Sequence, residues 1–167
     1  KHFAAILEPK RVGELLRAIE GHEGGGLSML ALRLAPHVFV RPGELRGAEW
    51  HEFDLDAAEW RIPAERMKAK FPHRVPLSPR VIAILEEQKN LHETLVFPSV
   101  RDQVELSDMA ITSLLRRLKA HSDTPGRVAT AHGFRSSFRD WCSEKGVARD
   151  LAERSLAHTI KDKVEAA

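Results

Sequence analysis

Two arginines and two histidines stand out because together they can hold one phosphodiester. Arg41 lies in Val40-Arg41-Pro42-Gly43-Glu44-Leu45, His132 and Arg135 in Ala131-His132-Gly133-Phe134-Arg135, and His158 in Leu156-Ala157-His158. A guanidinium can fork onto two phosphate oxygens and an imidazole can add a further hydrogen bond. Four such groups can therefore neutralise the anion and stabilise the charge that builds during attack on phosphorus. His132 and Arg135 are three apart, and a helix would put them on one face. Arg41 ends a strongly apolar run just before Pro42, so buried scaffold places it while its charge needs an anionic partner. Glu44 supplies that partner, either as a plain salt bridge or as a group that orients Arg41 around a ligand. Lys68 sits in a basic loop, and its long stem can carry an ammonium to a leaving oxygen; Lys70 competes for that role. Taken singly, His-x-x-Arg is better read as an exposed helix pair, and His158 as a packed helix-end residue.

These side chains need elements to position them. Pro9 suits a first helical turn, and Val12, Leu15, Leu16 and Ile19 recur at helical spacing. Residues 27–39 form a nearly continuous apolar run that reads as a buried helix, bent or broken near Pro36. Pro42 restarts a short helix carrying Glu44 and Leu45. Residues 50–55 and 59–63 alternate around Asp56-Ala57-Ala58 and read as a hairpin, with His73-Arg74-Val75-Pro76-Leu77 as a third strand. Pro76 puts that strand at an edge or a strand end. The basic loop around Lys68 connects the second and third strands. A helix covers about 79–91, followed by an extended piece at 95–98. Ser107 is expected to cap a helix running through Leu118. Thr130 is expected to cap the helix opening with the His132/Arg135 box, which Gly146 ends. A further amphipathic helix covers 148–157, and Val164-Glu165-Ala166-Ala167 reads as helix cut short. Trp50, Trp60 and Trp141 read as core residues.

The 167 residues are enough for one well-packed domain, with 43% apolar and 30% charged residues. Apolar stretches are interrupted by Arg33, His37 and Arg41, which argues against a membrane span. The single cysteine, Cys142, excludes an internal disulfide framework. Net charge is only +2, yet it is uneven. Arg61, Arg66, Lys68, Lys70 and Arg74 face Glu65 alone in residues 61–74, and Arg116, Arg117, Lys119 and Arg127 face Asp123 alone in residues 116–127. Such patches on a near-neutral domain suit a grip on a polyanion, although any one of them reads equally as solvated surface.

In this order the motifs resemble the catalytic domain of tyrosine recombinases (phage integrases), most closely the integrases of prophages and genomic islands. The matching text is Arg41-Pro42-Gly43-Glu44-Leu45-Arg46 with Trp50 after it. Lys68 then precedes His73-Arg74-Val75-Pro76-Leu77-Ser78, followed by Ser107, the His132-Gly133-Phe134-Arg135 box and Leu156-Ala157-His158. The resemblance covers essentially the whole chain. It implies a mainly α fold with a small three-stranded antiparallel sheet, an α+β catalytic-core domain spanning residues 1–167. Arg41 and Arg135 would clamp the scissile phosphate. His132 would hydrogen-bond it and assist proton transfer, and His158 would donate a further hydrogen bond. Lys68 would be the general acid for the departing 5′ hydroxyl, with Glu44 supporting the shell. No metal or cofactor is implied. The partner would be double-stranded DNA in the bacterial cytosol, at the nucleoid, with the parent protein tetrameric on DNA.

One departure is decisive for the expected chemistry. The family's nucleophile is a tyrosine shortly after the last histidine, and this chain contains no tyrosine. The expectation is therefore a fragment trimmed at both ends, lacking an N-terminal DNA-clamping domain and the tyrosine segment, monomeric and unable to cleave DNA. Two other classes compete: a non-catalytic helical DNA-binding module, and a metal-dependent phosphoesterase. The nine histidines are scattered without His-x-x-x-His spacing, which disfavours the latter.

Overall fold

The computed structural model describes residues 3–24, 26–89, 91–100 and 103–158. The described residues form seven α-helices and one small sheet. Helix α1 (Pro9–Glu20) buries Leu15 and Ile19 and has Pro9 in its first turn, where a missing N–H removes no helical bond. Helix α2 (Gly26–Val38) is the central element: Ala31, Leu32 and Leu34 are fully buried, and it packs against α1 on one side. Of the expected bend or break near Pro36, a break at the proline itself does not occur. The helix runs through Pro36 to Val38, and Phe39, in a left-handed conformation with φ 50°, ends it. Burial of Leu34, Ala35, Pro36 and Val38 holds the turn despite the missing N–H. Helix α3 (Pro42–Arg46) follows at once.

The antiparallel sheet is β1 (Phe53–Asp54), β2 (Glu59–Ile62) and β3 (His73–Pro76), in that spatial order. Phe53 pairs with Trp60, and Trp60 with Val75. The first strand is shorter than expected, because Trp50–Glu52 form a 3-10 turn. Pro76 sits at the end of edge strand β3, where its lack of an N–H is harmless. Trp60 and Ile62 are fully buried, and Phe53 stacks on Trp60 with centroids 4.9 Å apart.

Helix α4 (Pro79–Glu86) is capped by Ser78, whose hydroxyl accepts the Val81 N–H at 3.3 Å. Helix α5 (Ala110–Arg117) starts two residues later than a Ser107 cap would start it, with Met109 at the N-cap. Asp108 instead pairs with Arg46, and Ser107 contributes its carbonyl to the Ala110 N–H at 3.1 Å. Helices α6 (Gly133–Glu144) and α7 (Arg149–Ser155) pack on each other. Gly146, at φ 67°, makes the turn between them. Of the three tryptophans, Trp60 is core and Trp50 packs half-buried against it, but Trp141 is 41% exposed on α6. The C-terminal helix expected around Val164 lies outside the described residues. No helix among the described residues is long and apolar enough to cross a membrane.

Candidate active site

Three breaks in regular structure create the site. The first is the turn from α2 to α3. Arg41 occupies the N-cap of α3, and Glu44, at its third position, reaches back to accept the Arg41 backbone N–H at 2.7 Å. The same carboxylate accepts the Arg41 guanidinium at 2.9 Å. Glu44 is buried, so an unpaired charge there would be costly; Arg41 is its ion-pair partner, and Glu44 in return caps the Arg41 N–H.

The second break is the start of α6. Thr130 lies two residues before the N-cap rather than at it, yet its hydroxyl accepts the first helical N–H, that of Gly133, at 3.1 Å. His132 sits at the N-cap and Arg135 lies in the first turn, so the two project together. Arg135 is 4% exposed. Its guanidinium donates to the Phe39 carbonyl, to the Leu156 carbonyl at 2.7 Å, and to His158 Nε2 at 3.0 Å. Three of the five N–H groups of this arginine are thus held by protein, leaving two for an anion.

The third break is the end of α7. Ala157, at φ 50°, turns the chain. Its carbonyl accepts Arg41 Nη2 at 3.5 Å. His158 Nδ1–H donates to Glu153 at 2.6 Å, which fixes the ring and leaves Nε2 to accept from Arg135. Glu153 also receives Arg139 at 2.7 Å. Burial alone would raise the Glu153 pKa, but the hydrogen bonds from His158 and Arg139 outweigh it and lower it. Arg41, His132, Arg135 and His158, spread over 117 positions of sequence, therefore meet at one place.

Their mutual field is visible in the titration of the groups. His132 is pushed down to about 4, first by burial, then by Arg135, Arg41 and His158, with Glu44 opposing. At neutral pH it is an uncharged imidazole. Arg135 is lowered to about 10, by burial and then by Arg41, and stays charged. Like charges held this close, with free donors remaining, favour an arriving anion.

Several residues with a place here gave little sequence signal. His73, on β3, faces inward with Val75. Its pKa is lowered by burial, with Glu44 and a hydrogen bond from the imidazole to the Ser155 main chain opposing, and Arg135 and Arg41 adding to the lowering. Alternation along the strand was the signal available for it. A cavity of about 870 Å³ beside the clamp is lined by Phe39, Met67, His73, Ser155, Ala157 and His158, among others. Glu153 and Phe3, whose ring stacks on His132 with centroids 3.7 Å apart, were also missed.

The basic residues divide. Lys68 is exposed in the loop between β2 and β3, with no hydrogen bond or ion pair among the described residues. Lys70 is also exposed, at φ 58°, and donates to the Glu65 carbonyl at 3.3 Å. Arg61 and Arg74 are exposed but share Glu59, with Arg74 Nε at 2.6 Å from it. Arg66 does not belong to an outer patch. It turns inward, pairs with buried Glu52 and donates to the Glu44 carbonyl at 2.6 Å. Trp60 Nε1 donates to the same Glu52 at 2.9 Å, so Arg66 ties the sheet to the backbone beneath Arg41. Arg116, Arg117, Lys119 and Arg127 are all exposed. Arg116 and Arg127 line a hollow that Phe3 shares. Among the described residues no three His, Cys, Asp or Glu side chains gather where they could hold a metal ion.

The profile of the phage integrase family matches residues 5–166. The integrase of Enterobacteria phage P4 is 34% identical over 183 residues, covering 100% of this chain and 41% of that protein. Prophage integrase IntA of Escherichia coli K12 is 37% identical, covering 77% of this chain and 30% of that protein. The chain thus spans less than half the length of these curated relatives. Among solved structures, XerH recombinase bound to its difH substrate superimposes with a TM-score of 0.75 at 17% identity, covering 96% of this chain and 49% of that one. The Tn1549 transposon integrase, bound to circular-intermediate DNA, superimposes with a TM-score of 0.70 at 14% identity, covering 96% and 61%. At these identities the structural likeness concerns the fold: a mostly helical domain with a three-stranded antiparallel sheet.

Proposed function

The chain belongs to the phage integrase family, and from that premise we propose that it is the phosphate-binding core of a site-specific DNA recombinase. The parent enzyme cuts and rejoins duplex DNA through a 3′-phosphotyrosine intermediate. The observation that carries this reading is the meeting of Arg41, His132, Arg135 and His158, with two Arg135 donors unspent. Arg41 and Arg135 take the non-bridging oxygens of the scissile phosphate. His132, neutral at pH 7, can accept a proton from an attacking hydroxyl or donate its own N–H to phosphate. His158 is held by Glu153 so that Nε2 faces the same place. A tyrosine oxygen forms the new bond to phosphorus while the bond to the 5′ oxygen breaks. Lys68, on its loop, hands that oxygen a proton. Exposed Arg61, Lys70, Arg74, Arg116, Arg117, Lys119 and Arg127 grip the flanking duplex.

The 167 residues contain no tyrosine. Stabilising a pentacoordinate phosphorus without a positioned nucleophile gives no strand transfer. The polypeptide is therefore expected to bind DNA and not to become attached to it. A longer polypeptide of the same gene that carries a tyrosine after His158 is expected to trap a nicked, end-labelled duplex covalently, seen by denaturing electrophoresis. Loss of Arg41 or Arg135 should abolish the trap, whereas loss of Lys68 should slow it and be partly rescued by a better leaving group. Capture that survives Arg135→Ala would overturn the assignment. If Arg41→Ala proved no worse than Arg116→Ala for DNA binding and capture, the non-catalytic module would be the better reading.

A further inference from the structure

The segment before α1 is threaded along the start of α6. The Ala4 carbonyl accepts the Thr130 N–H at 3.1 Å and its hydroxyl at 3.4 Å. The Ala5 carbonyl accepts the Asp123 N–H at 2.8 Å, and Asp123 in turn accepts the Leu7 N–H at 2.8 Å. The Ile6 carbonyl accepts the Ser137 hydroxyl. The approach is so close that residue 133 has to be glycine: a Cβ there would overlap the Ala4 carbonyl oxygen and lie 3.1 Å from the Ala5 Cα. At the end of this strap Phe3 lays its ring on the His132 imidazole, 3.7 Å between centroids and 30° between planes. Phe3 itself is 44% exposed, so core packing does not explain why it sits there.

From this geometry we infer that Phe3 and the strap Ala4–Ile6 are a positioning device for His132. The strap's carbonyls pin the turn on which the imidazole is mounted, and the phenyl ring covers one imidazole face and fixes its plane. An imidazole stripped of water on one face and aimed by a stack meets a phosphate with its nitrogens already directed, so less freedom is lost on binding. Phe3 is a positioning residue and touches no reacting atom. The titratable and charged groups acting on His132 are Arg135, Arg41 and His158, which oppose its protonation, and Glu44, which favours it. Phe3 adds desolvation to that set. The inference rests on the reading of His132 as a phosphate-binding group, and the two arms of its test separate the two.

The first arm follows His132 in the 167-residue chain by NMR titration of its ring. Phe3→Ala should raise the pKa from about 4 toward the ordinary imidazole value and remove the ring-current displacement of its signals. Phe3→Leu, which covers the face without a π-system, should keep the pKa low and lose the displacement, and Phe3→Tyr should restore both. An unchanged His132 in Phe3→Ala would overturn the inference. The second arm measures orthovanadate, a pentavalent phosphate mimic, against the same variants. Phe3→Ala should weaken its binding by about three- to tenfold, the range of one aromatic contact. The loss should vanish in a His132→Ala background, because Phe3 acts only through that ring. An equal loss in both backgrounds would likewise overturn it. If His132→Ala alone leaves vanadate binding unchanged, the phosphate reading of His132 fails, and the titration still decides whether Phe3 sets the imidazole.

Discussion

At the scale of single residues, Arg41 is paired with Glu44 and His158 with Glu153, whereas Arg135 has no carboxylate partner among the described residues. Arg135 is nearly buried, yet its held partners are neutral carbonyls and a histidine nitrogen. Charge of this kind shows in pH dependence. His132 has a folded pKa near 4 against an ordinary 6.5. Between those values the unfolded chain binds a proton that the folded chain does not, so stability rises with pH across that window. His73 and His37, both lowered chiefly by burial, act in the same direction. Urea midpoints should therefore fall as pH drops from about 6.5 to about 4. His132→Gln should remove part of that slope and leave the rest to the other two. Phosphate should shift the His132 titration upward, because a nearby anion favours the imidazolium. Arg41, Glu44, His132 and Arg135 were legible because each stands beside a local signal: a proline at a helix start, or a three-residue spacing. Arg66 was misplaced because counting charge says nothing of direction. Its partner Glu52 is fourteen positions away and buried, and only the folded sheet brings them together.

At the scale of elements, the site is made where helices stop. Phe39 and Ala157 both take left-handed backbone without being glycine, and each lies beside an arginine that its carbonyl holds. Glycine at position 157 would remove the Cβ penalty and keep the carbonyl. Ala157→Gly should thus stabilise the domain by about 1 kcal/mol, read as a raised urea midpoint with unchanged slope. The opposite change at the strap should be severe. Gly133→Ala should cost about 1–3 kcal/mol, since the new methyl must displace the Ala4–Ala5 backbone. Thermal unfolding measures it, and Gly43→Ala, where a Cβ meets open space, is the control. The helices, the third strand and the Thr130 cap could be read from periodicity and punctuation. The continuation of α2 past Pro36 could not, because burial on several sides outweighs a local breaker. The late start of α5 escaped for a similar reason: Asp108 is drawn to Arg46, more than sixty positions away.

At the scale of the whole molecule, near-neutral net charge coexists with exposed basic groups concentrated in two stretches. Binding to duplex DNA by these residues should be weak, nearly independent of sequence and steeply salt-dependent, as counterions leave the phosphates. Each of Arg116, Arg117, Lys119 and Arg127 changed to Gln should lower the log–log salt slope by about 0.9 if it contacts a phosphate. Arg66→Gln should instead lower the unfolding midpoint through its lost bonds to Glu52 and Glu44. Filter binding at several ionic strengths separates these outcomes, and sedimentation of the 167-residue chain should give a monomer. Arg135 is held largely by main-chain oxygens, those of Phe39 and Leu156, whereas Arg41 leans on the Glu44 carboxylate. Every amino acid brings the same oxygen to such a position. The anchoring of Arg135 is therefore set by backbone position rather than by side-chain identity at 39 and 156, within the limit that position 39 must accept a left-handed conformation. An active centre hung on backbone in this way can persist through descent long after its surroundings cease to be recognisable, and a census of identical side chains will lose sight of it before geometry does.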